Sequence, residues 1–303
     1  MSSPAKDQPR DIGPQEAFTW PPKAPDSQAP EASVPIPVHL SSQMIESIET
    51  HLLGRIGLAF DRWAQQTGWT RDANDDYCWR CGTSVGKHET DGEGCATCRT
   101  KPLPWDRAIR LGRYDGPLRS EILALKFKCW RPTGHGLGVH LGKALKEQLN
   151  LAQITPNQAA LVPIPMHRFR RVSRGIDHTL VLARAASKST GCPVAPLLRT
   201  RLRPEQVGLP RTARAQNIKG AFSLNPRGHR QLAAARNTNR RVYVLIDDVR
   251  TTGATFVAAA KALKSALKAE KSINWDACAP PEIWVACIGV AGETRQVVTK
   301  AQK

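Results

Sequence analysis

Residues 242–256 read Val-Tyr-Val-Leu-Ile-Asp-Asp-Val-Arg-Thr-Thr-Gly-Ala-Thr-Phe. The five residues at 242–246, largely β-branched or aromatic, suit a strand buried on both faces. Two adjacent carboxylates, Asp247 and Asp248, stand at its carboxyl end. A small hydroxyl-rich turn follows, made of Thr251, Thr252, Gly253, Ala254 and Thr255. The next stretch is alanine-rich and reads as a helix to about Lys268, with Val257, Ala260, Leu263 and Leu267 on one stripe. A strand, a tight turn and a helix start together place backbone N–H groups where an anion can sit. Ligands of open α/β sheets bind beyond the carboxyl ends of the strands. A phosphate on the turn with a diol on the carboxylates describes a ribose 5-phosphate.

A second loop has the same form. Leu161-Val162-Pro163-Ile164-Pro165 ends a strand in a proline-stiffened segment. Arg168, Arg170, Arg171 and Arg174 follow, and Asp177 is an N-cap for a helix running to about Ser189, with Gly191 beyond its end. Several cations beside a loop and helix start suit pyrophosphate, and nothing in the pattern selects among the four arginines.

Cys78-Trp79-Arg80-Cys81 and Cys95-Ala96-Thr97-Cys98 form two C-x-x-C pairs. Such pairs turn their sulfurs toward one ion and complete a closed tetrahedral site, so a structural Zn2+ is expected. The glycine-rich loop between them has little apolar material and needs a metal to order it.

Alternating strand and helix patterns run from there to the C-terminus. Strands are expected at 106–114, 160–165, 194–199, 242–246 and 283–290. Helices are expected around Leu118, Ile122 and Leu125, and around Leu137, Leu141, Leu145 and Leu149. Residues 225–241 read as a basic connecting loop, and 199–222 as a basic lid. The pattern implies an α/β fold with a mainly parallel sheet covered on both faces. The expected organisation is a disordered Pro-rich tail at 1–37, an amphipathic helix within 38–70 docked on the main domain, a four-cysteine zinc knuckle at 76–101, and the α/β domain at 102–303.

The chain of 303 residues carries a net charge of +18. Residues 1–98 hold 8 Lys/Arg against 14 Asp/Glu, a net −6, whereas residues 167–241 hold 17 against 2, a net +15. So basic a segment expects an anionic partner, either a polyphosphate or nucleic acid. No run of about 18 uncharged apolar residues is present, so no membrane span is expected. The polar start of the chain does not fit a secretory signal, and paired cysteines at metal spacing fit a reducing compartment. A cytoplasmic location is expected.

The 242–256 stretch resembles the phosphoribosyl-pyrophosphate (PRPP) loop of type I phosphoribosyltransferases. That resemblance implies that Asp247 and Asp248 take the ribose hydroxyls, with Mg2+ accompanying PRPP. It also implies that Thr251, Thr252, Gly253, Ala254 and Thr255 wrap the 5-phosphate, and it leaves Arg250 at a variable position. From about Tyr77 to Val290 the chain resembles the ComF family of competence proteins, also called amidophosphoribosyltransferase-like. The shared elements are the cysteine knuckles, Tyr114-Asp115-Gly116, Lys126-Phe127, Val162-Pro163-Ile164-Pro165, Arg174-Gly175, Gln216-Asn217, Ala221-Phe222 and the PRPP loop. Where that family usually shows Phe-Asn-Gln, this chain has Ile176-Asp177-His178. The resemblance implies a type I phosphoribosyltransferase fold, PRPP binding and transfer of phosphoribosyl to a nitrogen acceptor. It also implies the alternative of a non-catalytic DNA-uptake factor that contacts single-stranded DNA and the competence machinery. No residue is singled out as catalytic.

Overall fold

The computed structural model describes residues 60–127, 131–166, 176–200, 220–234, 239–269 and 280–291. The expected tail, most of the expected first helix, the four arginines at 168–174 and the basic lid at 201–219 lie outside these residues.

Helix α1 covers residues 60–67. The knuckle follows, with strands β1 (Thr90–Asp91) and β2 (Gly94–Cys95) and the single turn α2 (Ala96–Arg99). Strand β3 (Arg107–Arg113) leads into helices α3 (Gly116–Phe127) and α4 (Arg131–Leu151). Strand β4 (Ala159–Pro163) precedes helix α5 (His178–Thr190), strands β5 (Leu198–Thr200) and β6 (Phe222–Leu224), and helix α6 (Pro226–Ala234). Strand β7 (Val242–Arg250), helix α7 (Ala254–Ala269) and strand β8 (Glu282–Val290) complete the order.

Four strands form one parallel sheet in the order β3-β8-β7-β4. Alternation along β7 explains its place in the middle. Val242, Val244 and Ile246 enter one core with Leu118, Ile122, Leu125, Leu137, Leu141, Leu145 and Leu182 of α3, α4 and α5. Tyr243 and Leu245 enter the other, with Phe256, Ala260, Leu263 and Leu267 of α7 and Leu232 of α6. A strand buried on both faces reads as a continuous apolar run, as this one does.

Neither outer strand has a bare edge along its whole length. At β3 the Asp72 N–H donates to the Leu111 carbonyl, and the Ala108 N–H donates to the Trp79 carbonyl, both at 2.8 Å. At β4 Leu161 exchanges bonds with Pro193 and Ala195 at 2.9 and 2.8 Å.

Three readings from sequence change. The expected strand at 194–199 is not a member of the parallel sheet. Val194 makes one isolated bridge to Leu161, and Leu198–Thr200 pairs antiparallel with Phe222–Leu224. Pro193 and Pro196 flank the bridge and have no N–H to extend it. The expected loop at 225–241 contains α6 instead. Asn225 Oδ1 accepts the Gly228 N–H at 2.5 Å, and Pro226 occupies the first helical position. Strand β7 also does not stop at Ile246, because β8 continues to pair with it through Arg250↔Val290.

Helices α4 and α5 pack at backbone contact. A Cβ on Gly138 would stand 2.6 Å from Ala185 Cβ and 2.8 Å from the Leu182 carbonyl oxygen. One on Gly142 would stand 2.8 Å from the Ala186 backbone. α1 docks on the same helix, with Phe60 filling the space that a Cβ on Gly136 would need. Phe60, Trp63, Trp69 and His140 form a ring cluster there. Gly138→Ala should destabilise the protein by about 1–3 kcal/mol, the usual penalty of overpacking, although it raises helix propensity. Urea unfolding checks this, and an unchanged midpoint would mean that the helices have room to part.

Candidate functional site

The site begins where two strands part. β4 pairs with β7 as far as Pro163↔Ile246, and the Ile164 N–H donates to the Ile246 carbonyl at 2.9 Å. Beyond that point β8 alone accompanies β7. Asp247 and Asp248 are the first residues after the divergence, at the crevice position expected for a ligand site.

The two acids have different surroundings. Asp248 is buried, and its Oδ2 lies 2.9 Å from His178 Nε2 and 3.1 Å from Lys126 Nζ. Lys126 comes from the last turn of α3 and His178 from the first turn of α5. Burial alone would raise the Asp248 pKa, but the His178 hydrogen bond and the Lys126 charge hold the carboxyl below its ordinary value. Asp247 is less enclosed, and its Oδ1 accepts the Asp248 N–H at 2.9 Å. Burial and the adjoining Asp248 carboxylate push the Asp247 carboxyl up to about 8.

Local sequence explains how His178 arrives. Asp177 caps α5, its side chain accepting the Leu180 N–H at 3.2 Å. The Thr179 hydroxyl donates to the Ile164 carbonyl at 2.8 Å, which ties the helix start to the end of β4. The last turn of α5 closes at Gly191 with φ of 75°. His178 Nε2 carries the hydrogen toward Asp248, and Nδ1 has no hydrogen-bond partner among the described residues.

The turn after β7 has exposed Thr251 and Thr252, a buried Gly253, and partly buried Ala254 and Thr255. Gly253 has φ of 78°, a left-handed value that favours glycine. Its carbonyl accepts the Val257 N–H at 2.9 Å, so α7 starts there with its first amides unpaired within the helix. These hydroxyls and the first N–H groups of α7 follow the two acids directly at the carboxyl end of β7, a combination that can hold an anion beside polar hydroxyls.

Cys78, Cys81, Cys95 and Cys98 are all buried, with their sulfurs within 4.8 Å of one another. Three of the separations are 3.7, 3.7 and 3.8 Å. Disulfide sulfurs would be about 2.05 Å apart. A tetrahedron with metal–sulfur bonds of about 2.3 Å has sulfurs about 3.8 Å apart, so the cluster fits a four-coordinate metal such as zinc. The Cys81 hydrogen bond pulls the Cys78 thiol down to about 4, while the bond to Cys78 pushes Cys81 up and burial raises Cys98.

The structure brings Asp247, Asp248 and the turn to one end of β7 and gathers the four cysteines into one cluster. Sequence reading does not find Lys126 or His178 as partners of Asp248. Among the described residues, no helix is long and apolar enough to cross a membrane.

No family model matches the chain. It is 29% identical to Competence protein F of Haemophilus influenzae over 192 residues, which cover 62% of the chain and 78% of that protein. It is 28% identical to DNA utilization protein YhgH of Escherichia coli K12 over 217 residues, 70% of the chain and 88% of the relative. The YhgH protein of Salmonella typhi is 25% identical over a similar span. These relatives support a ComF-family assignment.

Lys126→Met tests the clamp on Asp248. A carboxylate with a depressed pKa contributes stability above its ordinary value, about 3.9, and loses that contribution as pH falls through the lower folded value. The variant should therefore be less stable by roughly 1.5–3 kcal/mol at pH 7, the range for a hydrogen bond to a charged group. The difference from wild type should shrink below about pH 4. Chemical unfolding at a series of pH values measures it, and a pH-independent difference would show that packing, not charge, is lost.

Proposed function

We propose that the chain is a ComF-like, phosphoribosyltransferase-type protein that binds PRPP and serves DNA utilization or competence. The names of its relatives support the biological setting. The observation that carries the ligand reading is the unequal acid pair beside the hydroxyl-rich turn, at the point where β4 leaves β7. Asp247 and Asp248 would take the ribose hydroxyls, with Asp248 oriented by Lys126 and His178. Thr251, Thr252, Gly253, Ala254 and Thr255 would hold the 5-phosphate. Arg168, Arg170, Arg171 and Arg174 would meet the pyrophosphate from the loop after β4.

Mg2+ would be held through Asp247, whose oxygen chemistry suits it, and when bound it would neutralise charge on the pyrophosphate. In the transferase reaction the bond from C1 to pyrophosphate breaks as a nitrogen nucleophile arrives at C1. The protein would contribute by orienting the ribose and by fixing donors on the leaving group. Zn2+ at Cys78, Cys81, Cys95 and Cys98 would be structural, because four ligands leave no open position.

A second reading, single-stranded DNA binding without transfer, is favoured by the relatives' names and by the +15 charge of residues 167–241. Trp79 on the knuckle and Phe222 on β6 are partly exposed and would be its stacking surfaces.

Calorimetry with PRPP and Mg2+ should give saturable binding. Above about pH 8, where the Asp247 carboxyl is ionised, Asp247→Asn should weaken it by roughly 1.5–3 kcal/mol through loss of a charge-assisted bond. Wild-type affinity in a variant with Asn at both 247 and 248 would reject the ligand assignment. Titration of a labelled single strand into the same preparation separates the two readings. Competition by PRPP places both ligands on one surface, and salt-sensitive DNA binding without any PRPP binding favours the second.

Metal analysis of protein purified without added metal should give about one zinc per chain. A folded protein with less than about a tenth of that would refute the zinc site. Cys95→Ser should disorder the knuckle and leave the parallel sheet folded.

A further inference from the structure

The knuckle and the anion-binding turn meet through two side chains, neither of which is a metal ligand or part of the turn. Arg250 is the last residue of β7, at the position that the PRPP-loop pattern leaves variable. Its Nη2 donates to Thr83 Oγ1 at 3.2 Å, and Thr83 Oγ1 lies 3.3 Å from Cys81 Sγ. A Cβ built on Gly82 would stand 4.0 Å from Arg250 Nε, so the guanidinium lies along the knuckle backbone. On its other side, a Cβ on Gly253 would stand 3.9 Å from Arg250 Cδ.

Trp105 makes a parallel link. It is buried, and its Nε1 donates to the Arg80 carbonyl at 2.9 Å, between the first two cysteines. Its ring lies against the turn, with Cη2 3.6 Å from the place of a Gly253 Cβ, and it meets Phe256 of α7 edge-on at 6.2 Å. The first C-x-x-C pair and the two residues after it therefore support both groups that pack on Gly253.

We propose that Arg250 and Trp105 are positioning residues that make the cysteine knuckle a support for the turn at 251–255. Metal loading and anion binding then reinforce each other. This rests on reading that turn as the phosphate site. The knuckle has no apolar core beyond its cysteines and the partly buried Val85 and Leu103, so its order depends on the metal. A metal-bound thiolate only accepts hydrogen bonds, so Thr83 gives its hydrogen to Cys81 and a lone pair to Arg250. Loss of the metal frees residues 79–83, and Arg250 and Trp105 lose their anchors. The amides at 251–255 then lose their fixed aim. Coupling of this kind is reciprocal, so a phosphate ligand must tighten metal binding.

The test keeps the metal in place and cuts the link. Thr83→Val removes the hydroxyl without changing charge, Arg250→Met keeps the aliphatic stem, and Arg250→Lys is the conservative control. Hydrogen exchange of peptides covering 251–258, read without ligand, should quicken in Thr83→Val and Arg250→Met and recover in part in Arg250→Lys. Ribose 5-phosphate affinity by calorimetry should fall about 5-fold or more in Thr83→Val, the lower range for coupled sites. The zinc affinity of wild type, read from equilibrium competition with a chromogenic chelator, should rise by a similar factor at saturating ribose 5-phosphate.

Unchanged exchange at 251–258 in both folded variants overturns the proposal. So does an unchanged zinc affinity when ribose 5-phosphate demonstrably binds. Failure of wild type to bind ribose 5-phosphate refutes the phosphate reading instead, and the exchange measurement still decides whether the knuckle supports the turn.

Discussion

The Asp248 carboxylate is removed from water at the end of β7, and a charge in that position stays ionised only when hydrogen-bond donors meet it. Lys126 and His178 do so from two different helices on one face of the sheet. That requirement fixes where α3 must end and where α5 must begin. Removing either partner would leave a buried charge without full compensation, which costs more than the contact itself contributes. The clamp also differentiates the two acids. One is committed to the protein, and its neighbour is left with a raised pKa and more access to the crevice.

Packing carries this arrangement outward. The glycines of α4 let α5 approach to backbone contact, so the register of α5 and the height of His178 above the sheet are set together. On the opposite face Trp105 and Phe256 fix the start of α7, and the turn hangs between that helix and the end of β7. The crevice is thus defined by two cores, one on each side of the sheet, and not by the loops alone.

Much of this is legible in the chain. The apolar run at 242–246, the leucines spaced by four in α4, and the Asp177 and Gly191 caps of α5 are local signals, and local signals survive folding. The cysteine spacing likewise announces its own geometry. The clamp was not legible, because Lys126, His178 and Asp248 are far apart in sequence and no local pattern pairs Asp248 with either of the others. The continuation of β7 past Ile246 was hidden for a related reason. Two aspartates read as the end of a strand, yet the length of β8 decides where the pairing ends. The helix after Asn225 was signalled by Asn-Pro, but the surrounding arginines made the segment look like solvent-exposed loop.

A four-stranded open sheet has two flanks whose unpaired amides and carbonyls invite a strand from another chain. Here one flank is occupied by the stretch containing Asp72 and Trp79, the other by a short run between Pro193 and Pro196. The second guard is covalent in character, since prolines cannot extend a ladder. The first depends on the cysteine cluster that holds Trp79 in place. The cysteine cluster therefore also bears on colloidal behaviour: a chain whose cluster loses its order would expose β3 as a template, and oligomers growing from that side would be its characteristic mode of failure.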